Sequence, residues 1–215
     1  MTDNLLKLMA WLSPGYPVGA YTYSHGLEWA VQDGRVTDAA SSAAWIIDCL
    51  QLGGGRSDAI LLAHAWRAAD DEVALADLAE FAEALAPTAE RLTETADQGR
   101  AFAQVTAAAW GDADGHPTPY PVALGSAAAR AGLALDTLLP LFLQAWAANL
   151  VSAAVRLVPL GQTDGQKIIA GLSPLIAEIV TEAASAPLDA IGGCAVLSDI
   201  ASMRHETQET RLFRS

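Results

Sequence analysis

The chain is short of charge, of cysteine and of strand-forming patterns. Only 17% of its 215 residues are charged, and 12 Lys and Arg stand against 25 Asp and Glu, giving a formal net charge of −13. Such an acidic chain repels phosphate backbones, which argues against nucleic-acid binding. Two cysteines cannot build a disulfide framework. Because the first residues lack the basic region and apolar run of a signal peptide, we expect a cytoplasmic protein.

With few β-branched runs and no alternating pattern between turns, the chain is predicted to be all-α. We expect a single-domain bundle of about nine or ten helices, with Asp38, Asp71 and Thr88 as N-caps. Gly53–Gly55 should separate two helices, and Pro174 should bend or break another. The predicted helices cover residues 4–12, 23–31, 39–52, 57–69, 72–85, 89–110, 122–131, 137–155 and 166–185.

Two of these helices have unusual compositions. Residues 137–155 carry no charge over nineteen positions, about the length that a bilayer needs, but they include a proline and several polar residues. We interpret this segment as a buried core helix and expect no membrane partner. Residues 122–131 are rich in Ala, Gly and Ser, which permits two helix backbones to approach closely.

Signatures of catalysis and of tight metal binding are also missing. Residues 161–167 (GQTDGQK) resemble a phosphate loop, but one residue is missing between the glycines and no Ser or Thr follows Lys167. His25, His64, His116 and His205 have no zinc-site spacing to one another or to a cysteine. There is no GxSxG motif and no cysteine in a basic setting. We expect no cofactor, no metal site and no enzymatic activity.

The last seventeen residues (DIASMRHETQETRLFRS) differ from the rest of the chain. They contain three arginines and only four large apolar side chains, too few to repay the entropy of ordering seventeen residues without another surface. The segment is therefore either a frayed terminus or a segment that orders on binding. We divide the chain into an all-helical domain, residues 1–198, and a C-terminal tail, residues 199–215.

Two segments together resemble one family. Residues 5–31 (LLKLMAWLSPGYPVGAYTYSHGLEWAV), here called the first motif, match the opening of UreF-type urease accessory proteins, and the tail resembles that family's C-terminal signature. Residues 98–102 (QGRAF) and 149–162 (NLVSAAVRLVPLGQ) are similar to the family as well. The resemblance spans the whole chain and is strongest at its ends.

The resemblance implies a function that composition does not. UreF-type proteins are all-helical homodimers that bind the accessory protein UreD, also called UreH, and with it recruit the GTPase UreG. The assembly delivers nickel to apo-urease. A protein of this family has no hydrolytic activity of its own and is expected to modulate the GTPase. The resemblance also implies that the tail orders on binding UreD.

Candidate partner-binding residues lie in both motifs. If the tail becomes helical, Arg204, Gln208 and Arg211 fall on one face, where the arginines suit carboxylates of a partner. Leu212 and Phe213 could then supply apolar anchors.

In the first motif, Pro14 and Pro17 fix a turn that should present Tyr16, Tyr21 and Tyr23, and His25 joins the same predicted set. The turn could equally serve only to pack the first two helices together.

Two alternatives stay open at this point. The chain could be a nickel-binding chaperone that holds the ion through His25 or His205. It could also be a helical small-molecule-binding protein with a pocket lined by Trp11, Trp29 and Trp45.

Overall fold

The computed structural model describes residues 2–111 and 118–215, which form ten α-helices and no strand. The all-α prediction is therefore confirmed. Most of the predicted polar loop after Trp110, including His116, lies outside the described residues. The helices are α1 (Thr2–Trp11), α2 (Leu27–Gln32), α3 (Ala39–Gln51), α4 (Gly54–Arg67), α5 (Glu72–Ala84), α6 (Ala89–Trp110), α7 (Tyr120–Arg130), α8 (Leu135–Leu157), α9 (Gln162–Ala183) and α10 (Val196–His205).

Local capping rules set several helix starts. Asp38, Asp71 and Thr88 each accept a hydrogen bond from the backbone N–H three residues on, at 2.8, 3.0 and 3.1 Å, as predicted. Helix α9 differs from the prediction. It begins at Gln162 without a side-chain cap and is not broken at Pro174, and the pair Lys167–Asp164 lies in its first turns.

Helix α4 occupies the centre of the bundle and packs against α3, α5, α7, α8 and α9. Its contact with α7 is the closest. A Cβ atom added at Gly125 would lie 2.4 Å from the carbonyl oxygen of Leu62, so the two backbones meet at a position that only glycine can occupy. The close approach expected from the small residues of this segment is confirmed.

Helix α8 is long and apolar enough to cross a bilayer by length and composition. Half of its most apolar window is buried inside the protein, against α4 and α9. Leu138, Phe142 and Leu150 are among its side chains with almost no exposure. These contacts support the interpretation of α8 as a core helix.

The tail is packed on the same chain. Helix α10 lies against α2, α3 and α6. Residues 206–215 then run without regular structure back to the first motif, where the backbone N–H of Arg214 donates to the Thr22 carbonyl at 2.7 Å and Ser24 N–H donates to the Ser215 carbonyl at 2.6 Å. The surface needed to order the tail is thus supplied by the chain itself.

Candidate functional site

The first motif turns sharply where it meets α10. His25 and Gly26 both have left-handed backbone angles, with φ of 54° and 73°. A Cβ atom at Gly26 would lie 2.7 Å from the backbone nitrogen of Ser202, so glycine is required there. Because of this turn, α2 begins at Leu27 and not at the predicted residue 23, and the turn directs the His25 side chain into the protein.

His25 joins a largely buried group of charged and polar side chains that we call the interior cluster: His25, Asp58, Arg91, Glu94 and Gln98. The Arg91 guanidinium is paired with Glu94 and lies 3.0 Å from His25 Nε2 and 3.8 Å from Asp58 Oδ2. Gln98 Nε2 donates to Glu94 Oε1 at 3.0 Å, and His25 Nε2 approaches the same oxygen at 3.2 Å. One guanidinium therefore stabilises two buried carboxylates.

The cluster shifts the titration of its members. Burial, together with the charge of Arg91, lowers the pKa of His25, although Glu94 acts in the opposite direction. The lowered pKa agrees with a neutral His25 ring whose Nε2 accepts a hydrogen bond from Arg91. Burial alone would raise the pKa of Glu94, but Arg91 and His25 lower it to about 2. For Asp58, burial outweighs Arg91 and raises the pKa to about 6.

Two cavities border the interior cluster, with volumes of about 170 and 180 Å³. Both are lined by His25, Asp58 and Arg91; the first extends toward α10 and the second toward Tyr16 and Trp146. Among the described residues, no group of three or more His, Cys, Asp or Glu side chains is arranged to hold a metal ion. Each cavity therefore has the charged side chains of the interior cluster on one side and apolar side chains on the other.

The tail is held by a second group, buried except for its arginine, which we call the tail clamp: Glu28, Glu90, His205 and Arg211. His205 has no exposed surface; its Nε2 lies 3.1 Å from Glu28 and its Nδ1 lies 2.9 Å from Glu90. Glu28 also accepts the backbone N–H groups of Leu212 and Phe213, at 2.7 and 2.9 Å. Arg211 Nη1 donates to Glu90 at 3.0 Å.

An aromatic anchor completes the attachment of the tail. Phe213 is buried at 4% exposure, and the guanidinium of Arg156 lies 4.3 Å from the centre of its ring. The same guanidinium donates to the Tyr21 carbonyl at 2.8 Å. Arg156, on α8, therefore connects the tail to the first motif.

The predicted site residues divide into a buried and an exposed set. Tyr23 is buried and hydrogen-bonded to Arg214, and the Tyr16 hydroxyl lies 2.7 Å from Thr106 Oγ1. Tyr21 and Leu212 are 58% and 75% exposed. The exposed set can touch a partner directly, whereas the buried set can act only by holding the surface in place.

The predicted helical face of the tail is not formed. Helix α10 ends at His205, so Gln208 and Arg211 lie beyond it and do not line up with Arg204. Gln208 Nε2 donates to the Thr210 carbonyl at 2.9 Å, and Arg211 is drawn to Glu90. The hydrogen bonds from Arg211 to Glu90 and from the Leu212 and Phe213 amides to Glu28 hold the chain against the helical body, whereas a continued helix would carry it outward.

The tryptophan pocket considered above is not formed either. Trp11 and Trp45 are buried in the core, while Trp29 packs under Arg35, with 5.9 Å from the guanidinium to the ring centre. None of the described cavities is lined by all three rings.

Sequence reasoning missed the acidic residues that organise both buried groups. Glu90, Glu94 and Gln98 follow one another at a spacing of four in α6, and Phe102 and Thr106 continue the same line. Polar residues that continue an apolar stripe at helical spacing are the signal that could have identified them. Glu28 gave no such signal, because its partners lie far along the chain.

The buried cysteine does not provide an activated nucleophile. The Cys49 thiol is buried, and burial raises its pKa to about 12, so it stays protonated. The Cys194 side chain is exposed. Fold and site together define an all-helical protein in which a C-terminal segment covers a charged interior and completes the surface.

Comparison with known proteins identifies the family. A family model described as UreF matches residues 36–173. The urease accessory protein UreF of Cereibacter sphaeroides is 60% identical over 215 residues, covering all of both chains. The protein of the same name from a Methylobacterium species is 50% identical, and the match covers 98% of this chain and 88% of that protein. The one from Roseobacter denitrificans is 49% identical, and the match covers 100% of this chain and 95% of that protein. The chain belongs to the UreF family of urease accessory proteins.

Proposed function

We propose that this protein is a non-catalytic accessory factor of urease maturation in the cytoplasm. It forms a homodimer, binds UreD (UreH), and with it recruits and modulates the GTPase UreG so that nickel is inserted into apo-urease. Family membership supports the urease connection, since the relatives are named as urease accessory proteins. The particular partners follow from the resemblance of the two motifs, and the nickel is cargo and not a resident cofactor.

The observation that carries the proposal is an exposed apolar face on α10. Val196, Ile200 and Met203 are 53%, 44% and 50% exposed, and their spacing of four and three places them on one side of the helix. Leu197, three positions before Ile200, is 55% exposed and extends this surface, and Leu212 in the tail is 75% exposed. Large apolar side chains that remain exposed together on a folded domain mark an interaction site.

Charge around this face suits a partner with carboxylates. Arg204 is exposed beside Met203, and Arg211 remains 41% exposed although it is paired with Glu90. These arginines are exposed cations on a chain whose net charge is −13. We propose that α10 and the tail, residues 199–215, bind UreD through an apolar centre and charged pairs at the rim.

The remaining predicted site residues would act in two ways. Tyr21 and Leu212 would contact a partner directly. Buried residues and the half-buried Tyr16 would hold the tail and the first motif in register: Tyr16, Tyr23, His25 and Phe213. Gln208, which is half-buried, would fix the bend after α10 through its bond to Thr210. This division predicts that changes in the buried set alter stability and binding together.

The histidines favour assembly over nickel binding by this chain. His25 Nε2 is engaged by Arg91 and Glu94, and both ring nitrogens of His205 face carboxylates of the tail clamp. Both ring nitrogens of His205 and the Nε2 of His25 are thus already engaged, so the nickel-chaperone alternative has less support than a scaffold.

The test compares single charges introduced on two exposed apolar positions. Ile200→Glu and Met203→Glu change the proposed interface, and Val73→Glu on α5, where Val73 is 72% exposed, is the matched control. Each variant is mixed with the cognate UreD and measured by size-exclusion chromatography with light scattering. We expect at least a tenfold weaker complex for the two α10 variants, unchanged melting, and normal binding by the control. Full binding by both α10 variants would refute the assignment of this face.

A further inference from the structure

Helix α10 is oriented opposite to an ordinary amphipathic helix. Its four large apolar side chains are all exposed by 44% or more. The residues that it buries are small or polar: Ala201, Ser202 and His205. A surface helix normally turns its large apolar residues toward the core, where their burial stabilises it. Burial of apolar area therefore contributes little to the attachment of α10.

Hydrogen bonds hold α10 on the body instead. Thr88 Oγ1 lies 2.8 Å from Ser202 Oγ, and Ser198 Oγ donates to the His25 carbonyl at 3.3 Å. The Cys49 thiol in turn donates to Ser198 Oγ at 3.4 Å. A hydrogen bond within a protein replaces one to water, so its net contribution to stability is small. When α10 moves away, water takes the place of each partner.

A single large apolar side chain fastens the far end of this segment. Within residues 196–215, all of which the structure describes, Phe213 is the only large apolar side chain that is buried. At the near end, residues 191–195 form no helix and include Gly192 and Gly193. No atom of the described residues lies within 4 Å of a Cβ atom built at Gly192. This stretch has the free backbone that a hinge requires.

Helix α10 also forms one wall of the first cavity. Ser198 and Ser202 line the cavity from α10, and Asp58 and Arg91 of the interior cluster line it from the body. Cys49 lines the same cavity and is only 2% exposed. Movement of α10 away from the body would therefore expose these charged groups and the thiol to water.

We propose that residues 196–215 form a flap that opens from the helical body while the rest of the protein stays folded. Opening uncovers the first cavity and with it one side of the interior cluster. Segments that bury little apolar area open locally at a lower free energy than global unfolding. The α10 face that we assign to UreD joins the surface of the body only when the flap is closed, so a partner that contacts both would keep the cavity covered. That consequence rests on the proposed function, whereas opening is a property of the chain alone.

The Cys49 thiol reports the opening. In a Cys194→Ser parent protein of full length it is the only thiol, and its reaction with iodoacetamide is followed by mass spectrometry. In the closed flap α10 covers the thiol, and burial raises its pKa to about 12, so the reagent reacts after opening. We expect Cys49 to react faster than global unfolding allows, with a weaker urea dependence than unfolding followed by circular dichroism. A rate that follows global unfolding at every urea concentration would overturn the proposal.

A matched pair of substitutions in the same parent tests the anchor. Phe213→Ala should raise the rate of Cys49 modification by about tenfold or more, because the flap loses its buried ring. Leu212→Ala, one position away and 75% exposed, should change the rate by less than about twofold. Equal rates in the two folded variants would contradict a flap that is anchored by Phe213.

A cross-link between body and flap gives an answer even if Phe213→Ala does not fold. The hydroxyl oxygens of Thr88 and Ser202 lie 2.8 Å apart, so Thr88→Cys with Ser202→Cys places two thiols to form a disulfide. Oxidation should slow Cys49 modification, resolved by peptide mapping, by about tenfold or more relative to the reduced form of the same protein. An unchanged rate would show that the reagent reaches Cys49 by another route, and the flap would be wrong. Since no partner is present, none of these results depends on the urease function.

Discussion

Glu94 should dominate the acid sensitivity of this protein, and Glu94→Gln tests that directly. Glu94 is buried, with a side chain 7% exposed, and carries a pKa of about 2 against an ordinary value of 4.5. A depressed carboxyl pKa contributes stability above the ordinary value and loses it as the pH falls through the depressed one. A difference of about 2.5 units corresponds to roughly 3 kcal/mol of unfolding free energy.

The substitution keeps the shape of the side chain and removes its charge. At about pH 6, Glu94→Gln should lower the unfolding free energy by up to roughly 3 kcal/mol, because Arg91 loses its nearest carboxylate and keeps only Asp58, 3.8 Å away. Between about pH 4.5 and pH 2 the wild type loses the same contribution. The difference between the two proteins should therefore shrink by about 1.4 kcal/mol per pH unit.

Urea unfolding followed by circular dichroism at several pH values measures this difference. Glu178→Gln, at an exposed position of α9, serves as the matched control for the loss of one negative charge and should stay within about 0.5 kcal/mol of wild type. A constant difference between wild type and Glu94→Gln across the acid range would show that Glu94 is not the titrating group, and the reasoning would be wrong.

Three further changes probe other parts of the structure. Asp58→Asn should stabilise the protein above about pH 6 by at most roughly 3 kcal/mol, because burial raises the pKa of Asp58 from 3.8 to about 6. The gain should vanish near pH 4, and thermal denaturation at the two pH values measures it. Gly125→Ala should destabilise the protein by about 1–3 kcal/mol or more, because the added methyl group clashes with α4. Gly171→Ala, with open space around it, should stabilise the protein by about 0.5–1 kcal/mol. The midpoints of urea unfolding compare the two variants. Arg156→Ala should lower the exchange protection of Phe213 by about tenfold by removing the contact with its ring.

Much of the helical framework follows from local chemistry. The caps at Asp38, Asp71 and Thr88 were predictable because each acts within three residues of its own position. The start of α2 at Leu27 was not predictable in this way. His25 and Gly26 adopt left-handed angles where the chain passes so close to Ser202 that a Cβ atom at Gly26 would lie 2.7 Å from its backbone nitrogen, and no local rule predicts that approach.

The continuity of α9 through Pro174 was also beyond local rules, because a proline removes one hydrogen bond and packing decides whether the helix continues. The buried carboxylates illustrate the same limit. Glu28 and Glu90 look like ordinary solvated residues on helices until the ring of His205, more than a hundred residues later, packs between them. The tail could be recognised as unusual from its composition, but the surface that covers it is formed by residues distant in the chain.

The contact between Ser24 and Ser215 spans 191 positions, and the backbone bond from Arg214 to Thr22 lies beside it. Contacts this far apart in the chain form slowly, because the entropy of closing the loop between them must be repaid first. The first motif should therefore reach its final packing only after the helices between these two segments have assembled.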